Sequence, residues 1–306
     1  MSVFFILLSK IAPLYLLIVL GFLVGKFTKL QKEAIAPLLI YVIAPVVVFK
    51  GVMRADLVAS NLSLPILFFA VGCLISLTFL FLSKFIWQDS TRNIVGFTAG
   101  TGNSGYFGLP VALAIFGDAY LPLAVLILLG MILYENSLGF YIVARGNHSR
   151  RESFLRLLKL PAIYAFFLAV IFNAVGMKFG MVYENVTYGF QLAYTVLGMM
   201  IIGLGIAGFS RAMWDAKFIA VTFLAKFIVW PLVLLLLMAV DNNYFHLYGA
   251  ELQRIMILMA IVPLAANTVS YATLLKVQPE KAALAVLFST VFALLYIPLI
   301  ATLFLG

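Results

Sequence analysis

Asn103 and Ser104 stand in the middle of a stretch otherwise apolar enough to cross a bilayer: Asn93 to Gly117 reads NIVGFTAGTGNSGYFGLPVALAIFG. An asparagine amide both donates and accepts hydrogen bonds without carrying charge, so it can hold a polar solute away from water. The residues beside it break a helix. Gly102, Gly105 and Gly108 are poor helix formers, and Pro110 removes a backbone donor. A second interrupted stretch, IMILMAIVPLAANTVSYATLL, carries Pro263 followed by Asn267 and Thr268. Helices broken at membrane depth survive only where the freed backbone faces protein, water or a ligand. Their N-terminal amides and positive dipole ends suit a carboxylate. The expected organic-anion site is therefore Asn103, Ser104, Asn136, Asn267 and Thr268 with nearby backbone amides. The structural alternative is that these groups only satisfy the backbone at two kinks.

At 1.5 Å per helical residue, Asn103 lies about 15 Å below Asn93 and Asn267 about 14 Å from Lys276. Glu135, Asn136 and Lys226 fall roughly 12–14 Å from the same side, so one layer near the middle of a ~30 Å core accommodates all five. Glu135 and Lys226 read as an ion pair within the scaffold, or as a titrating pair that couples transport to protons. Gln191 and Thr195 can reach the same cavity or act as hydrogen bonds between helices. Gly198, Gly203, Gly205 and Gly208 read as sites of close helix packing, and Pro45 as a bend that shapes the pocket wall. Tyr183, Tyr188, Trp87 and Trp214 read as interfacial aromatics, and Lys10 as a snorkelling side chain.

These residues need a membrane around them. The chain has 306 residues, 65% hydrophobic and only 10% charged. A soluble domain shows about 25% charged residues, so the composition excludes a soluble fold and points to an all-α polytopic membrane protein. Segments of about 20 apolar residues give ten spans: 3–25, 33–52, 62–83, 93–117, 120–143, 160–178, 186–208, 217–240, 253–275 and 281–304. The opening MSVFFILLSK lacks a basic n-region and a cleavage site, so 3–25 reads as a retained span. The single cysteine, Cys73, excludes an internal disulfide framework.

Of the 20 lysines and arginines, 14 fall in loops after odd-numbered spans, four (Lys50, Arg54, Lys178, Arg254) after even-numbered ones, and Lys10 and Lys226 within spans. The inside-positive bias then places both termini outside the cell membrane. This distribution explains a net charge of +9 without nucleic acid. Residues 1–143 and 160–306 form two halves of five spans, joined by a basic cytoplasmic loop, 144–159. Leu123-Ala-Val-Leu126 recurs as Leu284-Ala-Val-Leu287, and the interrupted spans 4 and 9 occupy matching places. Five spans per half makes the repeats inverted, as in secondary transporters whose sites lie at the midplane.

The block Gly102-Asn-Ser-Gly-Tyr-Phe-Gly-Leu-Pro110 with Phe116-Gly117 resembles the span-4 motif of the auxin efflux carrier family. Tyr41-Val-Ile-Ala-Pro45, Asn136, Lys226 ahead of Trp230-Pro231, and Val262-Pro263-Leu-Ala-Ala-Asn267 extend the likeness along the whole chain. The resemblance implies the ten-helix inverted-repeat fold of sodium/bile acid symporter-like transporters, with spans 4 and 9 crossing. It also implies elevator-like movement of spans 3–5 and 8–10 against spans 1, 2, 6 and 7, a homodimer, and small organic anions as substrates. The short loop between the halves matches the bacterial branch rather than the plant carriers.

Four other functions compete, one of them a passive channel, which favours charged rings or repeated carbonyl filters that the sequence does not show. A cation/proton antiporter and a ligand-sensing membrane protein use the same fold. An intramembrane serine protease is suggested by the string Gly102-Asn-Ser-Gly105, but a nucleophilic serine needs a base, and His148 and His246 lie in loops on opposite sides. No cofactor or metal site is expected.

Overall fold

The computed structural model describes residues 3–55, 63–117, 120–208 and 214–301, without the side chains of residues 3–8 and 10. Helix is the only regular structure among them. The helices are α1 (Val3–Phe27), α2 (Lys32–Arg54), α3 (Ser63–Ser83), α4 (Thr91–Ala99), α5 (Leu109–Phe116), α6 (Leu121–Ala144) and α7 (Arg150–Leu157). They continue with α8 (Pro161–Ala174), α9 (Met181–Ile206), α10 (Ala216–Phe245), α11 (Ala250–Ile261), α12 (Asn267–Leu274) and α13 (Pro279–Ile300). Six of them, α2, α3, α6, α9, α10 and α13, are each long and apolar enough to cross a membrane. A seventh crossing follows if α7 and α8, which meet at 46°, form one span.

The basic segment between the halves contains a short helix. Ser149 and Glu152 form a reciprocal capping box that starts α7. Leu160 is extended, as a residue before proline must be, so α8 begins afresh at Pro161. With 14 residues, α8 is about 21 Å long, shorter than the expected span 160–178.

These helices are apolar on several faces at once. Phe27, Ile66, Phe85, Leu236 and Leu295 are all more than 60% exposed, a surface that suits lipid chains and not water. The interior holds the large residues Phe68, Phe97, Phe107, Tyr134, Phe140 and Trp230, all fully buried. Close approach depends on glycine where α1 crosses α9: a Cβ on Gly203 would lie 2.5 Å from the Phe22 amide nitrogen. A Cβ on Gly205 would press on Ala283, and one on Gly198 on the Tyr106 ring; Gly208 faces open space and serves no such contact.

Three wide π-type turns, Leu39–Ile43, Ser104–Gly108 and Leu224–Val229, each end two residues before a proline: Pro45, Pro110 and Pro231. Proline cannot donate to the carbonyl four residues back and its ring crowds that turn, which widens instead. Pro45 thus distorts α2 as its sequence suggests.

One end of the bundle, where α2 and α13 begin, is laced together. Lys32 Nζ lies 3.2 Å from Glu280, and Lys281 Nζ 3.0 Å from both Asp215 and Thr91 Oγ1. Gln278 donates to Asp89, and Asn147 to the carbonyl of Lys276. Trp87 belongs to this network and not to an aromatic belt: it is buried and its Nε1 donates to Asp215 at 3.2 Å. Burial works against charge on Asp215, but the Phe218 amide, Lys281 and Trp87 outweigh it and hold the carboxyl below its ordinary range. Tyr188 and Trp214 are more than half exposed, as interfacial rings would be. The Lys10 side chain and all of Arg211 lie outside the described residues.

Candidate functional site

Two interruptions of the helical path meet in the bundle, one between α4 and the turn at Ser104 and one between α11 and α12. At the first break Ser104 N donates to Gly102 O at 2.7 Å across Asn103, whose φ of −74° and ψ of 56° make an inverse γ-turn. The Asn103 carbonyl then accepts from the amides of Phe107 and Gly108, starting the next helical segment. At the second break Val262 is extended ahead of Pro263. The two breaks touch: Asn103 N donates to Pro263 O at 2.8 Å. Trp230 closes the end of α4, its Nε1 donating to the terminal carbonyl of Ala99 at 2.7 Å, a group that has no partner within its own helix.

Beside this junction lies a cavity of about 160 Å³. Its inner end is formed by Asn103, Glu135 and Asn267, and the two residues just before α12, Ala265 and Ala266, line the same space. Both Glu135 oxygens accept hydrogen bonds, Oε1 from Thr101 Oγ1 and Oε2 from Asn267 Nδ2 at 2.7 Å. Asn267 Oδ1 in turn accepts from Tyr106 at 3.2 Å and Tyr194 at 3.4 Å. The Asn103 side chain caps no helix; its Nδ2 meets the Met199 sulfur at 4.0 Å and its Oδ1 has no partner. That unused amide separates Asn103 from a residue that merely satisfies its own kink.

The middle of the cavity is apolar, with Val47, Leu128, Leu129 and Ile132 on its wall and Gln191 and Thr195 beside them. At the far end stand two cations that the sequence reading put in a loop. Lys50 is buried within α2, its Nζ without a hydrogen-bond partner and 5.4 Å from the centre of the Tyr188 ring. Arg54, one turn on, pairs with Glu184 at 2.5 Å.

Asn103, Asn267, Gln191 and Glu135 therefore share one cavity, but other expected site residues do not join them. Asn136 does not line this cavity: it borders a small crevice against α8, while its Oδ1 accepts from Tyr271, one turn after Asn267 in α12, at 2.9 Å. Ser104 and Thr268 are buried with partnerless hydroxyls and do not line the cavity. The expected Glu135–Lys226 ion pair is not formed within 4.0 Å; Thr101 and Asn267 take the carboxylate instead. Lys226 is fully buried behind Gly102, where a Cβ would meet its Nζ, and that Nζ sits 4.9 Å from the centre of the Trp230 ring without a hydrogen bond. Ser104 and Lys226 therefore make no dyad in this structure. The residues that sequence reasoning passed over are Thr101, Tyr106, Tyr194, Lys50 and Arg54. Tyr194 stands three residues after Gln191 and Arg54 four after Lys50, spacings that put each pair on one helix face.

Comparison with known proteins finds relatives along the whole chain. The family model described as "Membrane transport protein" matches residues 6–153 and 145–301. The uncharacterized transporter MJ1031 of Methanocaldococcus jannaschii is 25% identical, over 93% of this chain and 96% of its own. An uncharacterized transporter of Methanothermobacter thermautotrophicus is 29% identical over 65% of this chain and 67% of its own. The uncharacterized transporter YfdV of Escherichia coli K12 is 26% identical over 81% and 82%.

Proposed function

The chain belongs to the membrane transport protein family, the auxin efflux carrier group its motifs resemble, and on that premise we propose that it is a secondary transporter for a small organic anion. The observation that carries this reading is the cavity itself: it runs from two cations, Lys50 and Arg54, to the junction of two broken helices at Asn103 and Asn267. Broken helices of this kind bind substrate where their backbone groups line a polar space. Asn103, Asn267 and Gln191 hold the solute, and Lys50 supplies the countercharge.

The chain crosses the membrane ten times in this proposal, α4–α5 and α11–α12 forming one interrupted span each and α1 and α8 two further ones. The packing supports two inverted halves of five: α1 packs against α9 as α8 packs against α2, which are equivalent pairs once the halves are superimposed. The cavity opens toward the end where α2 finishes and α6 begins, while the other end is tied by Lys32–Glu280 and Lys281–Asp215. With the arginine-rich loops in the cytoplasm, this is an outward-open conformation of an alternating-access, elevator-like carrier. It works as a homodimer in the cell inner membrane, with both termini outside.

Glu135 on the cavity wall favours one second reading, in which it carries a proton or binds a cation. Flux of labelled mono- and dicarboxylates into proteoliposomes, under separately imposed pH, sodium and voltage gradients, decides between them. Uphill accumulation of a carboxylate is the expected result. Uptake of a cation with no carboxylate movement would establish the antiporter instead.

A further inference from the structure

We propose that the cavity, on the transporter reading above, selects a small monocarboxylate that also carries a hydrogen-bond donor, and disfavours a dicarboxylate. The two ends of the cavity have opposite chemistry. Lys50 at one end is 3% exposed, and its ammonium has no hydrogen-bond partner; the neighbouring acid, Glu184, is already engaged by Arg54. A buried, unpaired ammonium is strongly stabilised by an incoming carboxylate. Glu135 at the other end accepts from Thr101 and Asn267, one hydrogen bond on each oxygen. The Asn267 amide can only donate, so Oε2 is an acceptor, and it keeps a further lone pair for another donor. Beside it the Asn103 Oδ1 is a second acceptor without a donor.

A solute with a carboxylate at each end would press one of them against Glu135. Lys226, the other buried cation among the described residues, lies behind Gly102 and does not line the cavity. A hydroxyl or ammonium on the solute satisfies the same acceptors instead. The cavity holds about 160 Å³, which suits a short acid.

Four radiolabelled three-carbon acids, propionate, lactate, alanine and malonate, separate these features at constant chain length. Their binding is measured singly on the purified full-length protein. Lactate and alanine are expected to bind at least about 10-fold more tightly than propionate or malonate, the value of one hydrogen bond to a charged group. Lys50→Gln weakens lactate roughly 10- to 100-fold, while Lys50→Arg, which keeps the charge, retains it. Glu135→Gln abolishes the advantage of lactate over propionate and brings malonate up. Malonate binding as tightly as lactate to the wild type, or an unchanged ranking in Glu135→Gln, overturns the donor requirement but leaves carboxylate transport standing. Wild-type protein that binds none of the four overturns this inference, while the anion reading falls only if no carboxylate moves in the proteoliposome flux.

Discussion

Replacing Asn267 with alanine removes the node at which the two halves of the chain share a hydrogen-bond network. Its Nδ2 reaches Glu135 Oε2 at 2.7 Å and Tyr194 at 3.0 Å, and its Oδ1 accepts from Tyr106. A hydrogen bond to a charged group contributes about 1.5–3 kcal/mol and a neutral one about 1 kcal/mol. Water entering from the cavity recovers part of this, leaving a net loss of about 2–3 kcal/mol in the organisation of the site. At about 1.4 kcal/mol per tenfold change, KM for the transported acid rises roughly 30- to 150-fold. Asn136→Ala is the matched control. It removes the hydrogen bond from Tyr271 and its own to the Ile132 carbonyl, so it costs about 1–2 kcal/mol of stability and, since Asn136 does not line the cavity, leaves KM unchanged. The assay is the concentration dependence of counterflow in proteoliposomes, with a thermal melt of each purified variant. Equal increases in KM for both variants, or no increase for Asn267→Ala, would refute the assignment of the cavity as the binding site.

Three further outcomes follow from the packing and the charged end. Gly203→Ala forces a methyl group onto α1 where there is no space, an overpacking cost of about 1–3 kcal/mol seen as a lower melting temperature with unchanged KM for protein that folds. Asp215 contributes pH-dependent stability of a definite sign. Its folded pKa is lowered, so the contribution is present above the unfolded value of about 4 and is lost as pH falls through the folded value. Melts between pH 6 and pH 3 are expected to show an acid-side loss in the wild type that is smaller in Asp215→Asn. Arg54→Ala breaks an exposed pair with Glu184, which is worth no more than about 1 kcal/mol; its melting temperature is expected to stay within a few degrees of the wild type.

The two interruptions were legible because glycine and proline act through the backbone alone: Gly102 to Pro110 and Pro263 break the path whatever surrounds them. Positions that depend on a partner from another helix were not legible. Lys50 read as a loop residue because a lysine ends an apolar window, yet α2 continues past it and buries it against the cavity. Glu135 and Lys226 read as a pair because they were the charges at the same depth; depth fixes only one coordinate, and Thr101 and Asn267 are nearer. Tyr106 and Tyr194 looked like core aromatics, since nothing in an apolar run shows that a hydroxyl will find Asn267. Asn136 lay at the right depth but gives its amide oxygen to Tyr271 rather than to the cavity, and the wide turn Glu135–Gly139 in which it sits is followed by no nearby proline that would have marked it.

The single cysteine offers the most direct test of where the solute binds. In a Cys73→Ser background, a cysteine placed at Thr195, on the cavity wall, is treated from the side where α2 ends with a membrane-impermeant anionic thiosulfonate. The reagent is expected to modify it, and a saturating concentration of the transported acid is expected to slow that modification several-fold. A rate of modification that does not change when transport is saturated would contradict the placement of the substrate between the two broken helices.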